Sequence, residues 1–187
     1  EFFVPLMIDS GATAMIWGVP PAVPATFNGP AYALSTPIDG MLASVAATDG
    51  TYTESALSFM LPVAPTNLAA LKNRGAKVMV YHGVSDAIFS VNDTTSWYEG
   101  LRTANGGDAS DFARLYRVPG MAHCAIGPST DQFDMLTALV NWVERGEAPD
   151  RVIAHARGAG NAIGANPDVP PSWRPDRSRP LCPYPKV

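Results

Sequence analysis

The order of hydrophobic and polar positions changes character near Pro65. Before it the chain is rich in Pro, Ala, Thr and Gly. Its aromatic residues (Phe2, Phe3, Trp17, Phe27, Tyr32, Tyr52 and Phe59) follow no lasting period of 2.0 or 3.6, so residues 1–65 are predicted to be irregular. From Thr66 the pattern becomes regular. Thr66-Asn67 can cap a short helix over 68–74, which Gly75 ends. The nearly all-apolar run 77–83, closed by Gly83, has the pattern of a strand buried on both faces of a parallel sheet. A second helix is predicted over 92–104, opened by Ser90 or Asn92 and stopped at Asn105-Gly106-Gly107. Residues 112–118 read as another strand, ending in Pro119-Gly120. The strongest helix spans 131–145, where Phe133, Leu136, Leu139, Val140 and Val143 fall at helical spacing and Gly146 closes the run. Past Pro149 one short apolar piece, 151–155, precedes a tail rich in Gly, Pro and Arg. No internal repeat is visible. Helices alternating with strands in this order predict an α/β fold with a parallel sheet, of which 66–187 form the last part.

Composition narrows the function classes. A chain of 187 residues suffices for one domain with a real core. Its 18 prolines and 16 glycines predict many turns, and an apolar share of 47% with only 16% charged residues excludes charge-driven disorder. A net charge of −4 offers no electrostatic footprint for nucleic acid or an anionic membrane. No apolar run nears the roughly 20 residues of a membrane-spanning helix. The start, Glu1-Phe2-Phe3-Val4-Pro5, lacks the basic residues and cleavage site of a signal peptide and reads as a mature or cut end. Cys124 and Cys182 are too few for a disulfide scaffold and have no metal-site spacing. They are buried thiols, a pair with each other, or two halves whose partners lie outside the chain.

Reactive groups of open α/β sheets sit on loops just past the carboxyl ends of strands. Two such loops stand out, His82-Gly83-Val84-Ser85-Asp86 and Pro119-Gly120-Met121-Ala122-His123-Cys124. An acid after one strand and a histidine after the next is how the orienting carboxylate and the general base arrive in an α/β-hydrolase, in chain order Ser…Asp…His. Asp86 and His123 are therefore the candidate acid and base. Taken singly, Asp86 is also a plain turn residue and His123 a loop histidine satisfied by carbonyls. His82 suits a structural hydrogen-bonding role, and His155 has little claim. Gly83-Val84-Ser85-Asp86-Ala87 superficially resembles a nucleophile elbow, but too few strands follow for Ser85 to be served by a later acid and histidine. Asp108 and Asp111 precede the only convincing strand between Ser85 and His123. The nucleophilic serine is expected in a segment outside this chain.

The residues also resemble a family. Arg74-Gly75-Ala76-Lys77-Val78-Met79-Val80-Tyr81-His82-Gly83-Val84-Ser85-Asp86 looks like the acid-loop strand of the tannase/feruloyl esterase family of α/β-hydrolases. Val118-Pro119-Gly120-Met121-Ala122-His123-Cys124 resembles its His-Cys loop. Asp131-Gln132-Phe133-Asp134-Met135-Leu136, the segment from Trp142 to Asp150, and Arg179-Pro180-Leu181-Cys182-Pro183-Tyr184-Pro185 resemble the segments that follow, so five motifs appear in order over 66–187. The resemblance implies a serine carboxylesterase acting on esters of aromatic acids of the feruloyl, galloyl or terephthalate type. Asp86 and His123 would be triad acid and base. Cys124 would be disulfide-bonded to an upstream cysteine beside the serine, and Cys182 to a cysteine downstream. Residues 1–65 would be the end of an irregular lid. The partner implied is the N-terminal part of the same enzyme, carrying the Cys-Ser nucleophile, the oxyanion hole and the structural calcium usual in the lid. No cofactor is expected in this chain, which by itself should be inactive. Disulfides imply secretion or the periplasm. The aromatics and Met7, Met15, Met41 and Met60 of the first third either line an aromatic-acid pocket or pack under the cap. The alternative function is a catalytically inactive α/β-hydrolase-like module for binding or assembly; a third reading makes Asp86 and His123 structural residues of an unrelated α/β domain.

Overall fold

The computed structural model describes residues 4–60 and 62–186. Phe2 and Phe3 lie outside them. The chain forms two compact units, Glu1–Pro65 and Thr66–Val187.

The first unit is helical, not irregular. Two π-helical segments, Val4–Asp9 and Ala12–Trp17, precede α1 (Gly29–Ser35), α2 (Ile38–Ala46) and α3 (Ala56–Met60). Helix α1 starts where the Asn28 side chain accepts the Ala31 amide, with Pro30 in the first turn. The periodicity is absent from the sequence because these helices are short and leave large apolar side chains exposed, among them Ile16, Leu34, Ile38 and Phe59. A helix that buries no continuous stripe has no reason to carry a 3.6 period.

The second unit contains α4 (Ala69–Asn73), β1 (Val78–Gly83), α5 (Val91–Ala104), β2 (Ala113–Val118), α6 (Met135–Arg145), β3 (Val152–His155) and β4 (Ser178–Leu181). Strands β1 and β2 pair in parallel, with Val78 opposite Ala113 and Val80 opposite Leu115. Alternation along both strands divides the core. Val78, Val80, Ala113 and Leu115 join Tyr98 and Leu101 of α5 and Phe112 on one face. Met79, Tyr116 and Val118 join Met121, Val152, Ala154 and Leu181 on the other. Each fully buried large side chain here stabilises the unit by about 1.5–3 kcal/mol. Helix α5 is opened by Ser90, whose hydroxyl accepts the Asn92 amide at 3.2 Å.

Five expectations change. Helix α6 starts at Met135, not at residue 131, because Asp134 caps it by accepting the Thr137 amide at 2.8 Å and Gln132 instead bridges to His155. Its apolar stripe is not the buried face: Leu136, Val140 and Val143 are exposed, while Trp142 is buried and Met135 and Ala138 pack on the core. Strand β1 is only half-buried, with Tyr81 48% exposed, because β2 is its sole partner among the described residues. The parallel sheet is confined to β1 and β2; β3 turns away to pair antiparallel with β4, which the tail supplies. At α4, Asn67 reaches the Ala69 amide only at 3.4 Å, and Leu68 takes the capping position without a side-chain bond.

Candidate active site

The parallel pairing of β1 and β2 brings their C-terminal ends side by side, and the loops leaving them are hydrogen-bonded together. The Val84 amide donates to the Val118 carbonyl at 3.0 Å and the Ser85 amide to the Met121 carbonyl at 2.9 Å. Gly83 permits this approach, since a Cβ there would run into the carbonyls of Met121 and Ala122. The second loop turns on Gly120 and Gly127 and on two residues that are not glycine, Cys124 at φ 65° and Ile126 at φ 60°.

Asp86 and His123 meet at the junction, with His123 Nδ1 3.0 Å from Asp86 Oδ2. The carboxylate is 5% exposed and the imidazole 40%. Asp86 Oδ1 accepts the amides of Ile88 at 2.8 Å and Phe89 at 3.0 Å, so the acid is held within its own turn. Burial pushes the Asp86 carboxyl up, but the Phe89 amide, His123 and the Ile88 amide together hold it below its ordinary 3.8. An ionised Asp86 can only accept, so His123 Nδ1 carries the proton and Nε2 presents a lone pair. That is the tautomer a general base requires.

His82 lies alongside. Its Nε2 donates to the Phe89 carbonyl at 3.0 Å and stands 3.4 Å from Asp86 Oδ2, while the Thr94 hydroxyl donates to Nδ1 at 2.8 Å. The Phe89 ring leans on the His123 imidazole with centroids 5.3 Å apart. Asp86, Phe89, His123, Met121 and Cys124 share one cavity of about 210 Å³. Phe89 and Thr94 carried no signal of their own in the sequence. The position of Phe89 three residues past a strand-end acid, within reach of its carboxylate as a turn amide, is the clue that was available.

The remaining candidates separate. Ser85 sits in the turn beside Asp86, and among the described residues its hydroxyl makes no hydrogen bond to His123. His155 exchanges backbone hydrogen bonds with Gln132. Asp108 accepts from Ser110 and Asp111 pairs with Lys72 at 3.1 Å, both remote from the pair. Cys124 and Cys182 are not joined to each other, and Cys124 is exposed, so it is not a buried thiol. Cys182 is partly buried near Arg117 and Tyr184. Among the described residues no group of three or more His, Cys, Asp or Glu side chains could hold a metal ion. Nor is any described helix long and apolar enough to cross a membrane.

Fold and site together define an α/β unit in which an acid and a histidine meet at the ends of two parallel strands. The family model for tannase and feruloyl esterase matches residues 43–187, and the chain belongs to this family. It is 49% identical over 141 residues to the mono(2-hydroxyethyl) terephthalate hydrolase of Piscinibacter sakaiensis, covering 75% of this chain and 21% of that protein. It is 30% identical over 139 residues to feruloyl esterase B of Aspergillus niger, covering 64% of this chain and 24% of that protein. The chain thus spans about a fifth to a quarter of the length of these relatives. Among solved structures, an esterase from Aspergillus oryzae matches 89% of the chain and 31% of its own at a TM-score of 0.54 and 22% identity. The tannin acyl hydrolase of Aspergillus niger matches 98% of the chain and 29% of its own at 0.53 and 18%. These two likenesses establish the shared fold.

Proposed function

We propose that the complete protein is a serine carboxylesterase for esters of aromatic acids, to which this chain contributes the acid and the base. The single observation that carries this reading is the contact of His123 with the buried, ionised Asp86 at the ends of two parallel strands. His123 Nε2 takes the proton of a serine hydroxyl as it attacks the ester carbonyl and returns it to the departing alcohol. Asp86 holds the imidazole in that tautomer and stabilises the imidazolium in between. In this reading the serine lies upstream, next to a cysteine that pairs with Cys124, and Cys182 pairs downstream. The segment 66–187 is then the C-terminal part of the catalytic α/β-hydrolase domain, and 1–65 the end of a lid whose upstream portion holds the structural calcium. The edge of β1 that has no partner among the described residues and the exposed apolar side chains of Tyr81, Leu136 and Val143 support further sheet and helix packing from outside the chain. An exposed Cys124 beside the base supports a covalent tie to another loop, and with it an oxidising location, secreted or periplasmic. The relatives named as hydrolase of a terephthalate monoester and as feruloyl esterase support an aromatic acyl group.

A fluorophosphonate that traps serine nucleophiles tests the assignment in the complete enzyme. The adduct is expected on a serine outside residues 1–187, and Ser85→Ala is expected to keep most turnover. An adduct on Ser85, with turnover lost in Ser85→Ala, would overturn the assignment. Non-reducing peptide mapping is expected to find Cys124 oxidised to a cysteine outside this chain; a free Cys124 thiol in fully active enzyme would refute that pairing. Cys124→Ala should lower stability by about 2–5 kcal/mol, measured by denaturant unfolding, because the loop carrying His123 loses its tether.

A further inference from the structure

The loop that carries His123 is held in an unfavourable shape. Cys124 and Ile126 both adopt positive φ, and for a β-branched residue such as Ile126 this is a true outlier that persists only where surrounding contacts over-determine it. Those contacts come from Asp131 and from the segment 157–168. Asp131 Oδ2 accepts the Ile126 amide at 2.9 Å, while the Ile126 carbonyl accepts the Ala122 amide at 3.1 Å. The strained residue is therefore tied on one side to Asp131 and on the other to the residue preceding His123. Asp131 is itself gripped by both arms of Arg157, with Nε at 3.0 Å from Oδ1 and Nη2 at 2.6 Å from Oδ2. Its side chain is 0% exposed and that of Arg157 14%.

Gly127 is held from both sides. Its amide donates to Asp168 Oδ2 at 2.9 Å, and its carbonyl accepts from Asn166 Nδ2 at 2.9 Å. Asn166 is buried, reaches Asp131 Oδ2 at 3.3 Å, and its side-chain oxygen accepts the Asp168 amide at 2.9 Å. The Asn166 amide in turn donates to the Arg157 carbonyl at 2.8 Å. Two consecutive peptide units of the loop thus have both donors taken by carboxylates. Burial alone would push the Asp131 carboxyl up; the Arg157 guanidinium and the Ile126 amide outweigh it and hold the group below 3.8.

We propose that Asp131, Arg157, Asn166 and Asp168 form a clamp that positions His123 against Asp86, a positioning role that rests on the acid–base reading above. A loop relaxed at Ile126 would let the imidazole drift from a partner that it meets only at the loop's far end. Displacements of about 1 Å in a reacting group can cost on the order of 10²-fold in rate.

The complete enzyme tests this with two variants. Asp168→Ala removes the Gly127 acceptor at an exposed residue and strands no buried charge. Asp131→Asn strips the charge from the buried pair. Below the unfolding transition, kcat on an aromatic ester is expected to fall about 10-fold in the first and about 100-fold in the second, with KM within about twofold. Hydrogen exchange at the Ile126 and Gly127 amides should accelerate while that of α6 does not. The His123 Nδ1 proton, followed by NMR, should exchange faster with solvent because its contact with Asp86 is weakened. Folded Asp168→Ala with wild-type kcat would overturn the clamp, as would a fall in kcat explained wholly by lost folded protein with unchanged exchange of the His123 Nδ1 proton. If His123→Ala keeps its turnover, the acid–base reading itself has failed. The clamp is then decided by exchange of the His123 Nδ1 proton alone, and identical exchange in Asp168→Ala and wild type overturns it.

Discussion

Replacing His123 by Ala in the complete enzyme is expected to abolish nearly all turnover on an aromatic ester, by roughly 10⁴–10⁶-fold in kcat. The imidazole is the group within this chain whose Nε2 can accept a proton while Nδ1 is held by Asp86. Without it the serine hydroxyl must lose its proton to water. KM should change little, because the ring contributes proton transfer in the transition state more than affinity for the ester. Circular dichroism and the unfolding midpoint should stay near wild type, since the His123 side chain is 40% exposed and fills no core position. Steady-state kinetics on the purified variant decide the matter, and a loss below tenfold would remove His123 from the role of base.

Asp86→Asn is expected to cost about 10⁴-fold in kcat while preserving side-chain shape. The amide nitrogen placed opposite Nδ1 would donate where Asp86 accepts, favouring the tautomer that puts the imidazole proton on Nε2. In the wild type the Asp86 carboxyl is held below its ordinary 3.8, so this acid is ionised across pH 5 to 9. The sign follows: loss of turnover on acidification within that range does not come from the acid. The stabilisation that Asp86 gains from its turn amides and His123 is present above pH 3.8 and is lost as pH falls through the depressed value. Asn at 86 should therefore reduce activity at every pH from 5 to 9. A pH–rate series from pH 5 to 9 tests it, and near-wild-type kcat anywhere in that range would refute the acid assignment.

The candidate pair could be found from sequence because its cues are local. Each residue stands on a short loop directly after an apolar run, and Gly83 and Pro119-Gly120 mark where the runs end. β1, β2 and α5 were legible for the same reason: short runs closed by Gly83 and by Pro119-Gly120, a Ser90 cap and a Gly106-Gly107 stop all act within a few residues of the element they define. The helices of 1–65 were not, because their large apolar side chains are exposed and describe no stripe. Strand β4 was hidden by Pro180, which cannot donate to a ladder and so argues against a strand until Ile153 is seen opposite it.

The sequence by itself determined that an acid and a histidine end consecutive strands of an α/β fold, and the run of motifs that the family match bears out. Tertiary structure alone decided that Asp86 and His123 touch, that Phe89 leans on the imidazole and that His82 braces the acid turn. It alone decided that Asp131 starts no helix but binds Arg157 out of a tail without periodicity. The physical reason is range. Caps, turns and alternation are settled by neighbours a few residues apart, whereas a buried carboxylate takes whichever cation and amides the packed chain delivers to it.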